Sequence, residues 1–225
     1  MAGNAYDALI FDLDGTLWDA AEASTYGWNL ALAELGVATR VTVHGIRSVS
    51  GYPFPRCVEI LLPDLYPASK ALIEALDRAE RTGIETLGGS LYPGVAGGLP
   101  RLAAAYGLFV VSNCPAWYLS EFIRLSGLGG HLSGYDCHGL SGTGKAEMLA
   151  GLHAGYGLTR AVYVGDTQGD REAAESAGMD FVFARYGFGS VDDAALSFGS
   201  FSELVEHFLD GRSSLAGGGR TTAQR

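Results

Sequence analysis

Residues 8–17 read Ala-Leu-Ile-Phe-Asp-Leu-Asp-Gly-Thr-Leu: four apolar residues, two carboxylates one residue apart, a glycine and a hydroxyl. A short continuous apolar run that closes on an acid predicts a strand buried on both faces, with polar chemistry at its carboxyl end. The pattern recurs three times along the chain. Leu108–Val111 precedes Ser112, Ala161–Val164 precedes Gly165-Asp166, and Phe181–Phe183 precedes Ala184. Between these runs lie stretches of helical character: Pro100–Tyr106, Ala116–Leu125, Lys145–Gly155 and Arg171–Ala177, several closing on a glycine as helices commonly do. Strand alternating with helix predicts an α/β fold, a Rossmann-like parallel sheet with right-handed crossovers.

The stretch from Asp19 to Gly89 breaks this rhythm. Ala20–Leu35, Cys57–Leu62 and Ser69–Ala79 read as helices, and no run there resembles a buried strand. The expected organisation is an α/β core of residues 1–18 and 90–210, a helical insert of residues 19–89, and a disordered Gly-rich tail of residues 211–225.

Composition bounds the function. The chain has 225 residues, 48% hydrophobic and 18% charged, enough to bury a sizeable core. A net charge of −10 argues against binding nucleic acid or an anionic membrane surface. The first residues lack the basic and apolar regions of a secretory signal, and no apolar run reaches bilayer-spanning length. Cys57, Cys114 and Cys137 are odd in number and without CxxC spacing, so neither a disulfide framework nor a zinc site is expected. A reducing cytoplasm fits best.

In an open parallel sheet, ligands bind beyond the carboxyl ends of the strands. Asp12, Asp14, Ser112, Asn113, Asp166 and Asp170 all follow strands, and Lys145 opens the helix before the third. Carboxylates crowded together are costly unless a cation sits among them, and an oxygen-only site suits Mg²⁺. Asp-x-Asp-Gly alone is a common turn, which leaves the second acidic cluster unexplained. A calcium loop fails at Asp166–Ala177, where Arg171 and Ala177 stand in place of the required Gly and Glu. Gly139–Lys145 matches half of a P-loop, but Ala146 stands where Ser or Thr is needed. Glycines just before Lys145 at a helix start favour an anion-binding role. The five histidines show no metal spacing, and Trp18, Trp28 and Trp117 are most simply packing residues.

In order and spacing, Asp12-Leu-Asp-Gly-Thr-Leu17, Ser112-Asn113, Lys145 and Gly165-Asp-Thr-Gln-Gly-Asp170 resemble the four motifs of the haloacid dehalogenase (HAD) superfamily, over residues 6–190. The closest subgroup is the phosphoglycolate phosphatase-like enzymes, whose alpha-helical cap the insert resembles. The resemblance implies a phosphatase in which Asp12 is the nucleophile and Asp14 the acid and base. It implies Mg²⁺ held by Asp12, the Asp14 carbonyl and Asp166, with Asp170 a ligand or a support. Ser112 and Lys145 would bind the phosphoryl oxygens, supported by Asn113 and Thr16. The expected partner is a small phosphorylated metabolite, with the chain a monomer or homodimer. A phosphomutase or a phosphonatase on the same fold is the alternative, the latter needing a cap lysine, for which only Lys70 is available, and a non-catalytic binding module is the least favoured reading. Substrate choice is expected in the cap, where Ser50–Arg56 reads as a turn-rich loop. Gly51 would approach the ligand there, and Arg47 or Arg56 would pair with an anionic group on it.

Overall fold

The computed structural model describes residues 6–216. Six parallel strands form one sheet in the order β5-β4-β1-β6-β7-β8: β1 (Ala8–Phe11), β4 (Gly107–Ser112), β5 (Gly134–Cys137), β6 (Ala161–Gly165), β7 (Asp180–Ala184) and β8 (Ser197–Phe198). The expected parallel α/β architecture is the one observed. β1 lies at the centre, in register with β4 (Leu9 opposite Leu108) and with β6 (Leu9 opposite Val162). Alternate residues feed two cores. Leu9, Phe11, Leu108, Val110, Val162 and Val164 face one, covered by α5 (Val95–Ala103), α6 (Ala116–Ser126) and α10 (Phe201–Ala216). Ala8, Ile10, Phe109, Val111 and Tyr163 face the other, covered by α8 (Lys145–Gly155) and α9 (Gln168–Ser176). A four-residue helix, α7 (His138–Ser141), follows β5.

Four helices intervene between β1 and the rest of the sheet: α1 (Ala21–Glu34), α2 (Val43–Val49), α3 (Phe54–Leu61) and α4 (Lys70–Leu87). They enclose an apolar cluster of their own around Trp28, Leu32, Ile46, Val58 and Leu76. The chain enters and leaves them through a two-stranded antiparallel ribbon, β2 (Trp18–Asp19) paired with β3 (Ser90–Leu91). α1 and α4 approach backbone to backbone: a Cβ on Gly27 would collide with the Ala79 carbonyl, and one on Gly83 with that of Ala23.

Several boundaries differ from expectation. α5 begins at Val95 and carries Pro100 in its interior, because the buried face Val95, Leu99 and Leu102 sets the helix rather than the proline. Residues 54–56, expected in a loop, open α3, with Pro55 near its start where a missing N–H costs nothing. α4 runs on from the expected end near Ala79 to Leu87, stopped by Gly88. α2 and β5 gave no sequence signal, α2 being seven residues long and β5 a half-exposed edge strand without an apolar run. α10 continues through Ala216, six residues into the stretch expected to be a disordered tail, since extending a formed helix is easier than starting one. The remainder of that tail and residues 1–5 lie outside the described residues.

Candidate active site

The carboxyl ends of β1, β4 and β6 bring Asp12, Ser112 and Asp166 to one edge of the sheet, all of them buried. Gly15, at φ 79°, turns the chain back after β1 and lies so close to Asp166 that a Cβ would strike its carboxylate. Lys145, the first residue of α8, reaches into this edge with its side chain only 6% exposed. Its Nζ donates to Asp12 Oδ1 at 3.0 Å and to Asp170 Oδ1 at 2.5 Å. These two carboxylates push the lysine pKa up against the opposing effect of burial.

The acids divide into three kinds by their partners. Asp170 is fully engaged: Oδ1 accepts from Lys145, and Oδ2 accepts from the N–H groups of Asp166 and Thr167 and from the Thr167 hydroxyl. It closes a capping box at the start of α9 and so holds the loop that carries Asp166. Asp12 and Asp166 are each half engaged. Asp166 Oδ2 accepts from the N–H groups of Phe188 (2.7 Å) and Gly189 (3.1 Å), while its Oδ1 and Asp12 Oδ2 are buried with no protein donor. One carboxylate oxygen from each of Asp12, Asp166 and Asp170 lies within 4.8 Å of the others, the only such cluster among the described residues. Burial, opposed by Lys145 and aided by Asp170, raises the Asp12 pKa to about 6. Burial and the charges of Asp170 and Asp12 raise that of Asp166 to about 7. Two unsatisfied buried oxygens on adjacent carboxylates form a donor set for a hard divalent cation such as Mg²⁺.

Asp14 stands apart from that cluster. Its Oδ1 accepts from the Tyr118 hydroxyl at 2.5 Å, and the residue is half-buried. Burial pushes its pKa up to about 8 against the pull of the Tyr118 hydrogen bond, with Asp12, Glu80 and Asp166 adding to the rise. Tyr118 comes from α6 and is fixed between Trp18 and Trp117 by edge-to-face contacts. Sequence reasoning missed it; a tyrosine six residues beyond Ser112 on the first turn of a helix was the available signal. Thr16 is buried beside this edge with its hydroxyl unpartnered, and its carbonyl accepts from the Tyr186 hydroxyl.

Asn113 connects the sheet edge to the helical insert: its Nδ2 donates to the Gly51 carbonyl at 2.8 Å. Gly51, at φ 95°, also faces Thr167, so this turn lies over the sheet's carboxyl edge. The two arginines expected to meet a substrate anion are each paired with a carboxylate of the protein. Arg47 forms an ion pair with Asp19 at 2.6 Å and lies over the Phe188 ring. Arg56 is half-exposed and pairs with Glu59. Lys70 is 90% exposed beside Glu74, at the outer end of α4. The half P-loop around Gly144 holds no free cation, since Lys145 is already paired with two carboxylates.

The family model of haloacid dehalogenase-like hydrolases matches residues 9–184. The phosphoglycolate phosphatase of Psychrobacter arcticus is 30% identical over 219 residues, 89% of this chain and 95% of that protein. A 5'-nucleotidase of Pseudomonas aeruginosa is 29% identical over 199 residues, 84% and 86% of the respective chains. The crystal structure of a predicted phosphoglycolate phosphatase from Haemophilus somnus superposes with a TM-score of 0.80 at 21% identity, covering 91% of this chain and 99% of that one, a likeness of fold. With its acids and lysine at the carboxyl edge of a parallel sheet, the chain belongs to the haloacid dehalogenase-like hydrolase family. Within that family it is phosphoglycolate phosphatase-like, a phosphoric monoester hydrolase.

Proposed function

We propose that the chain hydrolyses a small-molecule phosphate monoester through a phosphoryl group carried on Asp12. The observation that carries this reading is the pair of buried, unpartnered oxygens on Asp12 and Asp166 beside the Lys145 ammonium. Asp12 and Asp166, with the Asp14 carbonyl, would hold Mg²⁺, which when bound neutralises phosphoryl charge and relieves the carboxylate repulsion. Asp170, with both carboxylate oxygens accepting hydrogen bonds, supports Lys145 and the Asp166 loop.

The Asp12 carboxylate attacks phosphorus and forms the new O–P bond. The bond from phosphorus to the ester oxygen breaks, and that oxygen takes a proton from Asp14 and leaves as an alcohol. Asp14, now a carboxylate, removes a proton from water as the water oxygen attacks phosphorus. The Asp12 O–P bond then breaks and inorganic phosphate departs. A raised Asp14 pKa suits both halves, since the group must hold a proton first and accept one later. Lys145 and Ser112 bind the phosphoryl oxygens, with Asn113 and Thr16 in support. Residues 19–89 serve as a cap that keeps bulk water from the phosphoryl group, joined to the core by the β2–β3 ribbon and touching it through Asn113 and Gly51.

Hydrolysis of a chromogenic phosphate monoester tests this reading. Turnover is expected with Mg²⁺, and none above background with chelator or in Asp12→Asn. Metal-independent turnover, or an active Asp12→Asn enzyme, would overturn it. The exposed position of Lys70 favours ester over phosphonate hydrolysis, which needs a lysine at the reacting carbon. The relatives' own names, a phosphoglycolate phosphatase and a 5'-nucleotidase, point to very different leaving groups.

A further inference from the structure

We propose that the leaving group of this enzyme's substrate is compact, uncharged and apolar, seated in the chamber walled by Trp28, Ile46, Val49, Phe54, Tyr118 and Phe188. The inference rests on the phosphatase reading above and narrows its substrate class.

The first argument is position. The chamber has a volume of about 70 Å³ and contains Asp14 and Asn113 in its wall alongside residues of α1, α2 and α3. The ester oxygen that takes the Asp14 proton must lie at that carboxyl group. The carbon attached to it therefore points away from the sheet edge and into the chamber.

The second argument is lining. Apart from Asp14, the residues around the space are aliphatic, aromatic or neutral, and none is Lys, Arg or His. Of the polar side chains that line it, the Asn113 amide donates to Gly51, the Tyr118 hydroxyl to Asp14 and the Ser50 hydroxyl to the Ile46 carbonyl, while Tyr52 is 53% exposed. The Cys57 thiol is turned to the carbonyls of Val49 and Tyr52 and closes the turn between α2 and α3. Phe188 is fixed by its own N–H group on Asp166, so this aromatic wall is anchored to the catalytic edge.

The third argument is charge. A carboxylate on the leaving group would need a cation, and none lines the chamber. Arg47 lies against Phe188 and is paired with Asp19. Arg56 is on the outer surface with Glu59, and Lys145, between Asp12 and Asp170, faces the phosphoryl group instead of the leaving group. What stands behind the wall is another acid: Trp28 Nε1 donates to the buried Glu80 at 3.2 Å. A carboxylate entering this space would lose its water and meet no cation in the lining. An alkyl or aryl group loses only unfavourable hydration.

The test compares kcat/KM of the full-length Mg²⁺-loaded enzyme for n-propyl phosphate, benzyl phosphate and 2-phosphoglycolate, all of which leave as primary alkoxides. At least one apolar ester is expected to exceed 2-phosphoglycolate tenfold or more. Val49→Lys and, separately, Cys57→Lys place an ammonium in the chamber. Either should shift the ratio of 2-phosphoglycolate to n-propyl phosphate at least tenfold toward the acid. A wild-type enzyme that hydrolyses 2-phosphoglycolate as well as or better than both apolar esters would overturn the inference while leaving the phosphatase reading intact. Folded lysine variants whose ratio stays at the wild-type value would also overturn it. Failure to hydrolyse these three and a chromogenic ester would sink the phosphatase reading, and the inference with it.

Discussion

At the scale of single residues, the site depends on which carboxylate oxygens are left without a donor. Asp170 is saturated, whereas Asp12 and Asp166 each keep one oxygen free. Asp14 differs again, being coupled to a phenol instead of to the lysine. We expect Tyr118→Phe to lower kcat roughly 10-fold or more, the scale of one hydrogen bond to a charged group, with little change in KM. Because that hydrogen bond holds the Asp14 pKa down, its loss should also move the pH profile of kcat upward. An unmoved profile would reduce Tyr118 to a packing residue. The motif acids and Lys145 were legible in the sequence because strand ends project side chains to one edge, so order along the chain reported position in space. Tyr118 was not, since a helix residue meets Asp14 only through the packing of α6 on the sheet. The pairing of Arg47 with Asp19 and of Arg56 with Glu59 was not legible for the same kind of reason, since it too arises from packing.

At the scale of elements, α1 and α4 form a seam so close that Gly27 and Gly83 leave no room for a methyl group. Glu80 is buried in that seam among Trp28, Ser24 and Asp77. Its pKa is pushed up to about 7, mainly by burial and further by Asp77, against hydrogen bonds from Ser24 and Trp28. A carboxyl whose folded pKa lies above its unfolded value binds its proton more tightly in the native state. Stability therefore falls as pH rises from about 4.5 to about 7 and stays lower above that. The span corresponds to roughly 3 kcal/mol at most. Glu80→Gln keeps an acceptor for Trp28 and should flatten this part of the pH–stability curve, with the variant more stable than wild type at pH 8 in urea denaturation. A parallel loss of stability in both proteins would contradict the assignment. Among the elements, four buried strands were readable from apolar runs. The edge strand β5 and the seven-residue α2 were not, because neither concentrates apolar residues. α10 did carry a readable stripe, Phe201, Leu204, Val205 and Phe208, at helical spacing.

At the scale of the whole molecule, a net charge of −10 coexists with a site for a phosphorylated substrate. The acids at the sheet edge carry that burden locally, and a divalent cation among them would reverse the sign of the field. Mg²⁺ should therefore stabilise the folded protein whether or not substrate is present. At 100 times the dissociation constant the gain is about 2.7 kcal/mol, or roughly 5–10 °C in Tm for a chain of this size. Asp166→Asn should abolish that shift; an equal shift in the variant would place the metal elsewhere. None of the described helices is long and apolar enough to cross a membrane.

The most direct test of the account is to trap the phosphoryl group on the protein. Wild-type enzyme with Mg²⁺ and a rapidly hydrolysed ester, quenched in acid within a single turnover, should yield one peptide carrying a phosphoryl mass increment. That peptide contains Asp12, and the increment should disappear in Asp12→Asn. A phosphoryl group found on another residue, or turnover at the wild-type rate with no labelled peptide at any quench time, would contradict the covalent role of Asp12.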